Sequence, residues 1–317
     1  MKILIELPTW LGDSVMLTPA IENIVTYYKK PEITIIGSHV SVEALKNHPN
    51  VFEAKVLKKN YRYLYRIAKL LGNFDVFFSF RNSFRSKIFK LFVSSKNKFQ
   101  YTKNRYQKYH QVEKYNCFVN HCLNANFMAG KLNIHHNFKN SLSKSLPIVG
   151  INPGASYGEA KRWYPKEFAD VAHDLSNQYD IIIFGGLREK DIAGDIERYL
   201  IDYGVINYQN LAGKTSITEL ITQISNLDLF ITGDSGPMHI AAAFQVPTVA
   251  TFGPTNDKET SQWMNANSMI VKKNLECQPC MKRTCPLKHH NCMDLIKAID
   301  VLNAIKSLDN KFSVSVE

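Results

Sequence analysis

Short apolar runs alternate along this chain with stretches whose apolar residues recur at helical spacing. In the first half, residues 3–7, 33–36 and 76–80 read as strands, and 14–28, 61–71 and 84–92 as helices. A polar stretch, 137–145, precedes Pro147 and reads as a linker. The pattern then starts again, with strands at 148–152, 181–184, 229–232 and 248–252. Helices are predicted at 165–177, 189–200, 216–224 and 235–244. Such alternation is the pattern of parallel sheets covered by helices, because parallel strands need a crossover between them. The predicted fold class is therefore α/β: two doubly wound, Rossmann-like domains, 1–145 and 146–317, facing a central cleft.

Composition narrows the class without changing it. The 317 residues are 45% hydrophobic and 21% charged, which excludes a disordered, collagen-like or disulfide-scaffold protein. No stretch reaches the apolar length of a membrane helix, and Glu6 and Asp13 interrupt any leader-like run, so a soluble intracellular protein is expected. Charge does change the picture. The net charge is +11, but residues 1–150 carry +15 and the remainder −4. A field of that kind attracts a polyanion: nucleic acid, an anionic membrane or a phosphorylated glycolipid. Its bland alternative is a solvated, lysine-rich surface.

In doubly wound sheets, ligands bind where strand C-termini enter helices. Four such turns carry chemistry. In Leu11-Gly12-Asp13, Asp13 stands at a helix start, where it could cap the helix or act as a general base. In Asn152-Pro153-Gly154-Ala155-Ser156, small residues let backbone N–H groups approach an anion, with Lys161-Arg162-Trp163 supplying charge. The turn Gly185-Gly186-Leu187-Arg188-Glu189 offers Glu189 to a ribose diol or to the following helix dipole. The fourth, Gly233-Asp234-Ser235-Gly236-Pro237-Met238-His239, runs a strand into an alanine-rich helix whose N-terminus suits a diphosphate. Asp234, Ser235 and His239 lie too close along one turn for a hydrolase triad, and no Gly-x-Ser-x-Gly elbow is present.

These motifs, with Phe252-Gly253-Pro254-Thr255, resemble in order and over nearly the whole chain glycosyltransferase family 9, the ADP-heptose:lipopolysaccharide heptosyltransferases. The segment Cys277-x-x-Cys280-Met281-Lys282-Arg283-Thr284-Cys285-Pro286 resembles the heptosyltransferase II branch. The resemblance implies a GT-B architecture, with the acceptor on the N-terminal domain and the nucleotide sugar on the C-terminal one. It also implies inverting transfer of L-glycero-D-manno-heptose from ADP-heptose to the first heptose of the lipopolysaccharide or lipooligosaccharide inner core. Asp13 matches the family's base. Ser156, Lys161, Glu189, Thr215, Asp234, Ser235, Gly236 and His239 are the donor-binding candidates, Asp234 either binding heptose hydroxyls or ordering its loop. Lys58, Lys59, Arg62, Arg66, Arg81 and Arg85 are the acceptor candidates, the acceptor being heptosyl-Kdo2-lipid A. The expected location is cytoplasmic, peripheral on the anionic inner face of the inner membrane, with no nucleic-acid partner.

Of six cysteines, Cys117 and Cys122 fall in a predicted helix as small apolar residues. The spacing of Cys277, Cys280, Cys285 and Cys292 is compatible with structural zinc, but reduced thiols are the simpler reading; transfer chemistry needs no cofactor, and no metal is assigned. The rival readings are another GT-B transferase or epimerase, a nucleic-acid-binding protein, and a nucleotide-sugar sensor without turnover. A nucleic-acid binder has no use for the three anion loops on the acidic half, and a sensor has none for Asp13.

Overall fold

The computed structural model describes residues 1–58, 60–106, 109–136, 146–155 and 157–314. Contacts divide the chain into two compact units, Met1–Asn137 and Phe138–Glu317; the expected linker, 137–145, lies outside the described residues. Among the described residues, no helix is long and apolar enough to cross a membrane.

The first unit runs β1 (Lys2–Glu6), α1 (Leu11–Met16), α2 (Thr18–Tyr27), β2 (Glu32–Gly37), α3 (His39–Leu45) and β3 (Val51–Val56). It continues through α4 (Tyr61–Leu70), β4 (Asn73–Ser79), α5 (Phe84–Phe92), β5 (Ser94–Gln100) and α6 (Gln111–Leu123). Its five strands are all parallel, in the order β3-β2-β1-β4-β5. Ile3, Leu4 and Ile5 on β1 and Val76, Phe77 and Phe78 on β4 are buried, as central strands covered on both faces require. The single helix expected over 14–28 is two. Pro19 has no N–H for the Val15 carbonyl, so the helix breaks at Leu17, and the Thr18 hydroxyl donates to that carbonyl at 2.8 Å instead.

The second unit contains β6 (Ile148–Asn152), α7 (Pro165–Leu175), β7 (Asp180–Ile183), α8 (Lys190–Asp202), β8 (Tyr208–Asn210), α9 (Ile217–Ser225) and β9 (Leu229–Gly233). After these come α10 (Gly236–Ala243), β10 (Thr248–Phe252), α11 (Asp257–Thr260), β11 (Ser268–Lys272), α12 (Asn291–Asp294) and α13 (Ala298–Val314). Six parallel strands are ordered β11-β10-β9-β6-β7-β8. Trp163 is the largest fully buried side chain; it packs edge-on to Phe168 and its indole N–H donates to the Ile296 carbonyl at 2.8 Å.

Strand order decides which loops meet. In each unit the sequence direction reverses at one place, between β1 and β4 and between β6 and β9. Crevices at such switch points take ligands. The loops after β1 and β4 therefore adjoin, as do those after β10, β9, β6 and β7.

Candidate active site

In the first unit the turn after β1 is fixed by hydroxyl groups. Ser41 Oγ donates to the Pro8 carbonyl at 2.6 Å, Ser38 Oγ to Thr9 at 2.8 Å and Ser14 Oγ to Trp10 at 3.0 Å. The N-cap of α1 is Trp10, so Asp13 lies within the first turn of the helix; the capping alternative is corrected. Its carboxylate is half-buried, and Tyr115 on α6 donates to Oδ1 across a long 3.5 Å. Burial, followed by the adjacent Asp13 charge, holds the Tyr115 hydroxyl well above its usual range, so it stays protonated and acts as a donor.

The acceptor candidates divide. Lys58, Arg62 and Arg66 are exposed, the two arginines on α4, whose cap Asn60 accepts from the Arg62 N–H at 2.8 Å. Lys58 sits over the Tyr63 ring at 5.8 Å. Lys59 lies outside the described residues. Arg81 and Arg85, after β4, turn inward. Buried Glu6 at the end of β1 accepts from Ser79 Oγ at 2.7 Å and from Ser86 Oγ, with Arg81 Nη1 at 3.8 Å from its other oxygen. Arg85 donates to the Lys58 carbonyl; burial and the neighbouring Arg81 charge lower its pKa. The arrangement places a partly buried pair of arginines at the β1/β4 switch point and exposed cations outside it.

In the second unit, Asn152 at the end of β6 is the organiser. Its side-chain amide donates to Thr232 Oγ1 at 3.3 Å, Ser235 Oγ at 3.1 Å and the Gly154 carbonyl at 3.3 Å, tying the β6 and β9 loops together. Buried Trp163 anchors the β6 loop and so sets the position of Lys161. Lys161 Nζ is 2.6 Å from Asp234 Oδ2 and donates to the Asp234 carbonyl at 3.0 Å; the two side chains are only 12% and 5% exposed. Thr255 Oγ1, after β10, donates to Asp234 Oδ2 at 2.7 Å. Both side-chain contacts reach Asp234 Oδ2 and tie its loop to Lys161 and Thr255, and Lys161 is half of a buried ion pair where the sequence alone presents an independent cation.

Ser235 is the N-cap of α10, and its side chain makes no capping bond, so it leaves the Gly236 and Met238 N–H groups for a ligand, Pro237 between them having none. Gly236 opens the helix, and His239 is buried in its first turns. Glu189, after β7, accepts from the Gly186 N–H at 2.6 Å and lies against Gly154, where an added Cβ would overlap its carboxylate. Thr215 follows the Gly213 turn, whose N–H donates to Gly185 O at 2.7 Å, so it belongs to the same loop cluster. Ser156 lies outside the described residues. Residues from four segments separated in sequence therefore converge: Gly154 and Lys161, Glu189, Asp234 to Gly236, and Thr255.

Cys277, Cys280, Cys285 and Cys292 are all free thiols lining one recess. Burial pushes the Cys292 thiol up to about 11, whereas backbone N–H groups, that of His290 foremost, lower Cys285. Tyr115, Glu6 and Tyr157 were not anticipated from the sequence. Tyr115 lies 102 residues from Asp13, and nothing local marks the pair. Tyr157 has cations over its ring, Lys161 Nζ at 5.0 Å and Arg283 at 5.2 Å.

A family model described as "Glycosyltransferase family 9 (heptosyltransferase)" matches residues 68–291. The chain is 42% identical to "Lipooligosaccharide heptosyltransferase 2" of Campylobacter jejuni serotype O:2 over 97% of its own length and 98% of the relative's. It is 28% identical to the protein of that name from Haemophilus ducreyi, covering 86% and 88%. Its fold matches the solved Escherichia coli ADP-heptose lps heptosyltransferase II with a TM-score of 0.82 at 21% identity, over 99% of this chain and 100% of that one.

Proposed function

The chain belongs to glycosyltransferase family 9, and from that premise we propose its reaction and the residues that perform it. It is a glycosyltransferase with the GT-B fold that adds heptose to the inner core of lipopolysaccharide or lipooligosaccharide. The donor is ADP-heptose, and the acceptor is the first heptose of heptosyl-Kdo2-lipid A. Near-full-length likeness to heptosyltransferase 2 carries this reading, and the local geometry supports the roles that follow.

Transfer is a single displacement that inverts the anomeric carbon. As the acceptor hydroxyl attacks, Asp13 removes its proton, a step for which a positioned carboxylate contributes about 10²–10⁴-fold. Neutral Tyr115 orients Asp13 without competing for that proton. Negative charge develops on ADP as the bond to the sugar breaks. The N-terminal amides of α10 and the Lys161 ammonium stabilise it, with Asp234 and Thr255 holding Lys161 in place. His239 serves the phosphates or the heptose, Glu189 the ribose diol, and Thr215 the adenine side.

Arg81 and Arg85 meet the anionic groups of the acceptor core, and Lys58, Arg62 and Arg66 extend that contact. The remaining basic surface of the N-terminal unit holds the protein peripherally on the cytoplasmic face of an anionic membrane.

The decisive experiment is mass-resolved turnover of ADP-heptose with heptosyl-Kdo2-lipid A by wild type and Asp13→Ala. A product heavier by one heptose, lost in the variant while ADP-heptose still binds, supports both transfer and base. Full turnover by the variant leaves Asp13 as a helix residue only. No product from wild type overturns the donor or acceptor assignment.

A further inference from the structure

Between β11 and α12, residues 273–290 contain no helix or strand, and most of their side chains are exposed. Irregular segments this long are uncommon in compact domains unless something fixes them. Leu275 packs against the main core, but the rest has little apolar anchorage. The path is nonetheless demanding. Met281, Lys288 and His290 have φ of 55°, 60° and 52°, a left-handed conformation unfavourable for any residue with a Cβ.

What the segment does bring together is sulfur. All four cysteines face one recess, and none is in a disulfide. The neighbouring histidines are committed elsewhere. His290 uses Nε2 on the Ala160 carbonyl at 2.9 Å and Nδ1 on Tyr164 Oη at 3.2 Å. His289 Nδ1 accepts from the Asn291 N–H at 3.0 Å. The donor set of the recess is therefore four thiols.

We propose that Cys277, Cys280, Cys285 and Cys292 bind one thiophilic divalent metal ion, zinc or iron, as a closed tetrathiolate site. Four sulfur ligands with tetrahedral geometry select these metals and leave no open position for catalysis. Binding releases the four thiol protons and leaves a site of charge 2−, which Lys282, Arg283 and Lys288 in the same segment offset. Among the described residues, only Glu22, His48 and His135 hold three ligand atoms all within 4.8 Å of one another, so a four-sulfur site requires the cysteine side chains to close on the ion. In that other trio His48 Nδ1 accepts from the Asn50 N–H at 3.1 Å, and the Nε2 atoms of His48 and His135 lie 3.4 and 3.1 Å from Glu22 Oε1.

The site has a function because the donor loop rests on it. The Met281 N–H donates to Pro254 O at 2.8 Å and the Ala160 N–H to Arg283 O at 3.0 Å; Tyr157 Oη donates to Met281 O at 2.8 Å. Through these bonds the metal fixes the loop that carries Lys161. Its loss raises KM for the donor several-fold with a smaller effect on kcat.

The test is elemental analysis of the full chain purified under reducing conditions without metal-affinity capture, together with thiol titration of the native protein. About one zinc or iron per chain is expected, the analysis saying which, with four thiols protected until the metal is stripped. Cys280→Ser with Cys285→Ser should abolish the metal, and Cys117→Ser with Cys122→Ser should retain it. Less than about a tenth of an ion per chain, with these thiols freely reactive or oxidised to disulfides, overturns the proposal. Metal content answers independently of turnover, so failure of the heptose-transfer reading would not be mistaken for failure of this one.

Discussion

Gly154→Ala isolates the contact between the β6 loop and Glu189. An added Cβ would stand no farther than 2.5 Å from Glu189 Cδ and both carboxylate oxygens, where ordinary contact needs about 3.5 Å or more. The obstacle is the far end of a flexible side chain, so the backbone can stay and the carboxylate must swing away by about 1 Å. The 2.6 Å bond from the Gly186 N–H cannot survive that movement. A hydrogen bond to a charged group contributes about 1.5–3 kcal/mol, and because water can replace it at this partly open site the loss should be about 1–2 kcal/mol. If Glu189 also holds the ribose diol, ADP affinity should fall roughly tenfold, equivalent to about 1.4 kcal/mol. The assay is a double-mutant cycle with Glu189→Ala, read by denaturant unfolding and by ADP titration. In the Glu189→Ala background the obstacle is gone, and alanine should be neutral or stabilising by about 0.4–1 kcal/mol through the unfolded chain. Equal costs for Gly154→Ala in both backgrounds would refute the reasoning.

Two further outcomes follow from buried charge. Lys161→Met should destabilise the C-terminal unit by about 3 kcal/mol or more, because it strands the Asp234 carboxylate, and adding Asp234→Asn should recover part of that; strictly additive unfolding energies would show that the pair is not coupled. Glu22 is lowered to about 2 from 4.5, first by the hydrogen bond from His48 and then by that from His135, opposed by burial. A depressed carboxyl stabilises the fold above its unfolded value and loses that contribution as pH falls from about 4.5 through about 2. With 37% side-chain exposure the full shift is screened, so Glu22→Gln should cost about 1 kcal/mol at pH 6 and nothing near pH 2, measured by urea unfolding across pH.

Much of this protein is legible without coordinates, for a local reason. Strands β6 and β10 and helix α5 coincide with their sequence-derived limits, because buried central strands read as continuous apolar runs and Ser83 marks a helix start by accepting from the Ser86 N–H. The turns that carry Asp13, Gly154, Glu189 and Ser235 were likewise visible as glycine and polar breaks after such runs. Edge strand β5, Ser-Ser-Lys-Asn-Lys-Phe-Gln, escaped notice because its pairing rests on backbone hydrogen bonds that leave no apolar pattern. The family resemblance supplied the chemistry that periodicity could not.

Sequence by itself therefore determined the repeated strand-turn-helix order, the lopsided charge and the loops able to face an anion. The tertiary structure alone decided what those loops become. Sheet order brings Lys161 onto Asp234 across 73 residues and Tyr115 onto Asp13 across 102. It turns Arg81 toward buried Glu6 and leaves Arg62 and Arg66 in solvent. Hydrophobic periodicity is a property of neighbours in the chain, whereas ion pairing depends on which strands lie side by side, and no short-range pattern encodes that order.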